Sequence, residues 1–132
     1  MMESVTIQKF EFGQLEFHYC YVIGTIDPDV EVNTDVAKVI IGHTKEHYGK
    51  RQFVYISDRE FGHKVHISAY KLVDPKKMVG IALVSSHKEE LIVSASEEQA
   101  VYSGSFGVFN NLDSAVSWAQ SFLEQEEEEG CD

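Results

Sequence analysis

Four histidines carry the spacing that metal ligands use. His43 and His47 stand four apart in a segment of helical periodicity, and His63 and His66 stand three apart further on. An i, i+4 pair on one helix face can clasp a divalent ion, but a catalytic zinc site needs a third ligand and usually a nearby acid. The His-Glu-x-x-His pattern is broken, since Thr44 stands where the acid would be. The two pairs converge only if the second segment abuts the first, and parallel crossovers often place consecutive helices on opposite faces. These histidines therefore read as surface and boundary groups, and no metal is expected.

A second group follows the β-branched and aromatic run Phe53 to Ile56, where Ser57, Asp58, Arg59 and Glu60 end a strand. In open α/β sheets ligands bind outside the carboxyl ends of strands. Arg59 is one of only two arginines, and its planar fork suits anions. Ser57, Asp58 and Arg59 are thus a candidate ligand or anion site, although residues of this kind more often form a salt-bridged loop end. A hydrolase nucleophile would sit in Gly-x-Ser-x-Gly after a strand and before a helix. Gly104-Ser105-Phe106-Gly107 is one residue short of that pattern and precedes a strand. No Gly-x-x-x-x-Gly-Lys-Ser/Thr occurs, and no Gly-x-Gly-x-x-Gly follows a strand, so no nucleotide cofactor gains support. With no catalytic constellation legible, the expectation is a protein that is not an enzyme and carries no cofactor.

The elements that must position these groups can be read from periodicity. Val5 to Phe12 alternates, Gly13-Gln14 offers a turn, and Leu15, Phe17, Tyr19, Tyr21 and Ile23 continue with period two. This predicts one β-hairpin, ended by Asp27-Pro28-Asp29. Asn33 to Asp35 are good caps for a helix whose apolar face carries Val36, Val39, Ile40, His43 and His47, with Gly49 as its stop. Gly42 within it costs about 1 kcal/mol relative to Ala, a cost taken to permit close packing on the sheet. Phe53 to Ile56 predicts a buried strand. Residues 64–72 read partly as strand and partly as helix, and the downstream Pro75 favours a short helix from about Ile67. Met78 to Val84 is apolar without alternation, as a strand buried on both faces is. His87 to Tyr102 predicts a helix, with a strand over Leu91 to Val93 as the alternative. Phe106 to Phe109 predicts a final strand. Asn111 opens a last helix with Leu112, Ala115, Val116, Ala119, Phe122 and Leu123 on one face and Trp118 beside it.

The order is ββαβαβαβα: an α/β fold with a mixed sheet of about five strands, parallel except where the hairpin adds an antiparallel one. Residues 1–124 form one domain, and residues 125–132 an acidic, solvated tail.

Charge narrows the partners. Of the 22 acids behind the net charge of −11, six lie in the last nine residues, which hold no Lys or Arg. Without them the charge is mild. Nucleic-acid binding is excluded because no basic cluster is present to neutralise phosphates. No apolar stretch approaches the ~20 residues needed to span a bilayer, and Met-Met-Glu-Ser does not open a signal peptide. Cys20 lies in an apolar strand and Cys131 in the tail. No structural disulfide is expected, Cys20 reads as a small buried hydrophobe, and the compartment as the reducing cytoplasm. Phe10, Phe12, Phe17, Tyr19 and Tyr21 crowd the hairpin. Either some of these rings form an interface, or all pack beneath the last helix.

The element order resembles the SpoIIAA-like superfamily, the STAS domains and their Sec14-like relatives, together with the Phe106-to-Trp118 strand and helix, Tyr55 to Arg59 and Gly80 to Val84. The likeness is greatest to short single-domain STAS/SEC14-type proteins of Bacteroidota-like bacteria, and it runs from about Val5 to Leu123. It implies a non-enzymatic regulator acting through a partner protein or as a homodimer, or else a carrier of a small apolar ligand. STAS regulators are switched by phosphorylation of a serine in an Asp-Ser-Ser-Gly-like motif. The matching position here is Ser68, in His66-Ile67-Ser68-Ala69, which lacks the Asp and replaces the Gly. Outside the resemblance, Ser68 reads as a helix cap.

Overall fold

The alternating N-terminal residues fold as three strands, where the periodicity predicted two. In the computed structural model, which describes residues 5–126, β1 (Thr6–Phe10), β2 (Gly13–Phe17) and β3 (Tyr21–Ile26) form an antiparallel meander. The first reversal falls at Glu11-Phe12, two residues before the predicted turn, and Gly13 opens β2 with φ 145. The second falls between Phe17 and Tyr21, where the His18 N–H donates to the Tyr21 carbonyl at 2.8 Å. Phe17 pairs with Val22, so odd-numbered residues of β2 share a face with even-numbered residues of β3. The apolar count runs through this turn in phase while the side chains change faces.

From β3 the sheet continues in parallel through β5 (Phe53–Asp58), β7 (Met78–Val84) and β8 (Ser105–Phe109). The order is β1-β2-β3-β5-β7-β8, a six-stranded sheet rather than about five strands. Two further short strands, β4 (Glu31–Val32) and β6 (Lys64–Val65), pair in parallel as a separate ribbon. After it comes a 3-10 helix, Ile67–Leu72, so the ambiguous stretch holds both a strand and a short helix.

The parallel strands follow one another in chain order, so each right-handed crossover steps the same way and lands on the same face. That face carries α1 (Thr34–Tyr48), the 3-10 helix and α2 (Lys88–Val101). α1 and α2 both pack on the 3-10 helix between them. The expectation that consecutive helices would alternate faces is corrected. Among the described residues, α3 (Leu112–Glu126) alone covers the opposite face, where Ala115 and Ala119 are fully buried against β3, β5 and β7.

α1 is capped as its sequence requires. Asn33 Oδ1 accepts from the Val36 N–H at 3.0 Å, and Gly49, at φ 61, donates to the Lys45 carbonyl. Its buried face is Ala37, Ile40, Thr44 and Tyr48, rotated from the predicted one, and Val39 is exposed. Gly42 is exposed too, with open space where a Cβ would stand, so it serves no close packing.

α2 forms as predicted, with no strand over Leu91 to Val93. α3 is capped by Asn111 Oδ1, which accepts from the Ser114 N–H at 2.9 Å. It runs two residues past the predicted domain end at 124, and the rest of the acidic tail lies outside the described residues. So do the side chains of Phe122 and Leu123 on its predicted face.

Cys20 is buried on the α3 side of the sheet and is disulfide-bonded, which corrects its reading as a lone buried thiol. The other cysteine, Cys131, lies outside the described residues. A disulfide fits poorly with a reducing compartment. Among the described residues, no helix is long and apolar enough to cross a membrane.

Candidate functional site

Strand alternation sorts the residues at the end of β5. Ser57 and Arg59 point to the helix-covered side, and both are buried. Asp58 does not join them. Its Oδ1 accepts from the Glu60 N–H at 3.1 Å and so shapes the turn that follows. The candidate trio is thus a pair with a structural residue between.

Arg59 is tied down on three sides. Its Nε–H donates to Ser57 Oγ at 2.7 Å, its Nη1 to Glu98 Oε2 at 3.0 Å, and its Nη2 to Glu98 Oε1 at 2.5 Å. The Tyr70 hydroxyl donates to the same Oε1 at 2.5 Å. Glu98 is 2% exposed and comes from α2, whose buried stripe of Leu91, Ala95 and Glu98 is continued by Tyr102 just past the helix end. Burial, and then the Glu98 carboxylate, push the Tyr70 hydroxyl far above the ordinary phenol range. Burial also pushes Tyr55 up to about 12, against the opposing pull of Arg59.

His63 completes the cluster. It is 4% exposed, and its Nδ1 is fully buried without a hydrogen-bond partner among the described residues. Burial first, and the Arg59 charge second, lower its pKa to about 3, so the ring is neutral at pH 7.

These groups line one cavity of about 60 Å³ between the sheet, α1 and the 3-10 helix. Its polar wall is Tyr55, Ser57, Arg59, His63 and Tyr70, while Val32, Ala37, Ile40, Val65, Ala69 and Ile81 are among the residues that make the rest apolar. Val32 and Val65 belong to the β4–β6 ribbon, which gives that ribbon a role as one wall. Such a volume holds roughly four to six water-sized positions. Both oxygens of Glu98 are already engaged, by Arg59 and by Tyr70, so it serves the site as a counterion and acceptor and not as a free base.

The other candidates lie elsewhere. Ser68 is half-buried as the second residue of the 3-10 helix. The capping position belongs to His66, whose side chain makes no capping bond. His66 instead meets Glu31 at 2.5 Å across the β4–β6 ribbon. His43 packs edge-on to Phe10 and His47 stacks on Phe17, so the four histidines do not gather. Among the described residues, no three His, Cys, Asp or Glu side chains group as metal ligands would. Of the five hairpin rings, Phe17 and Tyr21 are buried, and Phe10 and Phe12 stack on each other against the core. Tyr19 alone is exposed, beneath the Arg51 guanidinium at 4.4 Å.

Sequence reasoning found Ser57 and Arg59 but missed Glu98 and Tyr70, and it set His63 among metal ligands. A signal for Glu98 was present, an acid at helical spacing within an apolar stripe. No family model matches this chain, and neither a curated protein nor a solved structure does, so the chemistry of this cavity rests on its own residues.

Proposed function

We propose that the chain is a non-catalytic binding or regulatory module, of the SpoIIAA-like class, that takes a small molecule into the cavity beside Arg59 and Glu98. The observation that carries this reading is the unpartnered His63 Nδ1. Buried polar atoms are almost always paired, and leaving one unpaired costs about 1–3 kcal/mol. A ligand group that pairs with Nδ1 recovers that cost on binding. The mixed sheet with helices between its parallel strands supports the class. The cavity suits a compact molecule rather than a lipid tail, because a long acyl chain needs many more atomic positions than it offers. A regulatory role follows from the site's position, since α1, the 3-10 helix and the β4–β6 ribbon all supply walls that an occupant would stiffen.

The test is native mass spectrometry of protein purified from its own host, before and after mild denaturation. A small molecule released on denaturation supports the reading. A bare chain that also fails to gain thermal stability from host metabolite extract overturns it.

A second reading, contact with a partner protein or a second copy, has one observation in its favour. β1 is an edge strand, with Ile7 in it and Val5 just before it both exposed, and exposed edges pair readily with other strands. Light scattering across a concentration series decides whether the chain self-associates.

A further inference from the structure

Which molecule fits can be taken further, on the footing that the cavity does bind one. We infer that its occupant is a small carboxamide, with a short branched apolar stem and a neutral head that presents one carbonyl oxygen and one N–H.

The cavity volume of about 60 Å³ limits the occupant to roughly four to six non-hydrogen atoms, by comparison with the space one water needs. The stem belongs against Val32, Ile40, Val65 and Ile81, which have nothing to offer but dispersion and burial.

The head is set by a count of donors and acceptors. Arg59 has five N–H groups, and the bonds to Ser57 and Glu98 use three. Ser57 Oγ accepts from Arg59, which leaves its own proton to donate. Glu98 already accepts three bonds of roughly four available to a carboxylate. Donors are therefore in surplus, and an acceptor oxygen is what the wall lacks. His63 Nδ1 is the complementary case. A neutral imidazole with its proton on Nε2 accepts an N–H at Nδ1, and nothing among the described residues supplies one. A carboxamide supplies both at once.

Charge excludes the neighbouring classes. Glu98 already offsets Arg59, so a carboxylate would add a buried charge with no counterion, a large cost at low dielectric. An ammonium would meet Arg59 and find almost no free acceptor.

The experiment is methyl and imidazole NMR on the full chain at pH 7, titrated separately with isobutyramide, isobutyrate and isobutylamine. Saturable shifts from isobutyramide at the His63 ring and the Ile40 and Ile81 methyls are expected. His63→Leu should weaken that binding about tenfold, the loss of one hydrogen bond. The same variant should melt no lower than the parent, since it removes an unsatisfied atom, and this separates lost recognition from lost folding. Unchanged isobutyramide affinity in His63→Leu overturns the role of Nδ1 and with it the carboxamide. Tighter binding of isobutyrate or isobutylamine at the same residues also overturns the carboxamide but leaves the binding cavity in place. No shift at these residues from any of the three overturns both.

Discussion

Arg59 and Glu98 stand 39 residues apart in the chain and meet as a two-point ion pair, 5% and 2% exposed, with Arg59 in the wall of the cavity that also holds His63. The pair joins the end of β5 to α2, with Ser57 and Tyr70 filling positions around it. Burying two charges is costly, and good geometry roughly offsets that cost, so such a pair is weak evidence of net stabilisation. Removing one partner is a different matter. Glu98→Leu leaves the guanidinium buried and unpaired and should destabilise the fold by about 3–5 kcal/mol. The double variant Arg59→Met, Glu98→Leu should recover most of that loss. Urea unfolding of the parent, the single and the double measures both steps. A double variant no more stable than the single would show that the pair itself drives folding.

His63 makes stability depend on pH. Its pKa is lowered from 6.5 to about 3 in the folded chain, by burial and then by Arg59. Between those values the unfolded chain takes up a proton that the folded chain refuses, so protonation favours unfolding. The contribution is complete above the unfolded value and is lost as pH falls from about 6.5 toward 3. Carboxylates titrate in the lower part of this window as well, so the informative quantity is a difference. His63→Leu should lose less stability than the parent between pH 7 and pH 5, read as urea midpoints. Parallel curves would mean that His63 takes up its proton without opening the cavity.

How far this site was legible depended on which interactions are local in sequence. Ser57 and Arg59 sit at a strand end, and the strand was plain from Phe53 to Ile56, so both were found. The bond from Arg59 to Glu98 crosses from β5 to α2, and no periodicity announces a partner that far away. Glu98 did leave a trace on the stripe with Leu91, Ala95 and Tyr102, but Glu89, Glu90 and Glu97 stand in the same segment, and spacing alone did not single out Glu98. The fold followed the same rule. Helices α1, α2 and α3 came from caps and spacing that act over three or four residues. The meander was misread because the tight turn between Phe17 and Tyr21 kept the apolar alternation in phase, and the face of the sheet is a tertiary property. The helix faces were misjudged because the strand order, unreadable from the sequence, decides which side a crossover lands on.

Gly42 offers a test of local propensity alone. It lies within α1, exposed, with ordinary helical backbone and open space at the missing Cβ. Gly42→Ala should therefore stabilise the chain by about 1 kcal/mol, through helix propensity and a less flexible unfolded state. A higher thermal midpoint is the expected readout. A lower one would mean that something outside the described residues occupies that space.

Gly24 is the opposite case, and it reaches the cavity. A Cβ there would clash with the Tyr55 hydroxyl and stand 2.8 Å from its ring carbon Cζ, so the ring must move. β5 fixes the Tyr55 backbone beside β3, where Val22 is its register partner, and only the side chain can yield. Tyr55 is also a wall of the cavity, so a displaced ring alters that wall. Gly24→Ala should cost about 1–3 kcal/mol, as overpacking generally does, and should weaken ligand binding by more than its effect on stability. Gly24→Ala combined with Tyr55→Leu relieves the clash and should restore most of the stability. If the single variant binds as the parent does, Tyr55 has moved away from the cavity, and the wall on that side is not part of the site.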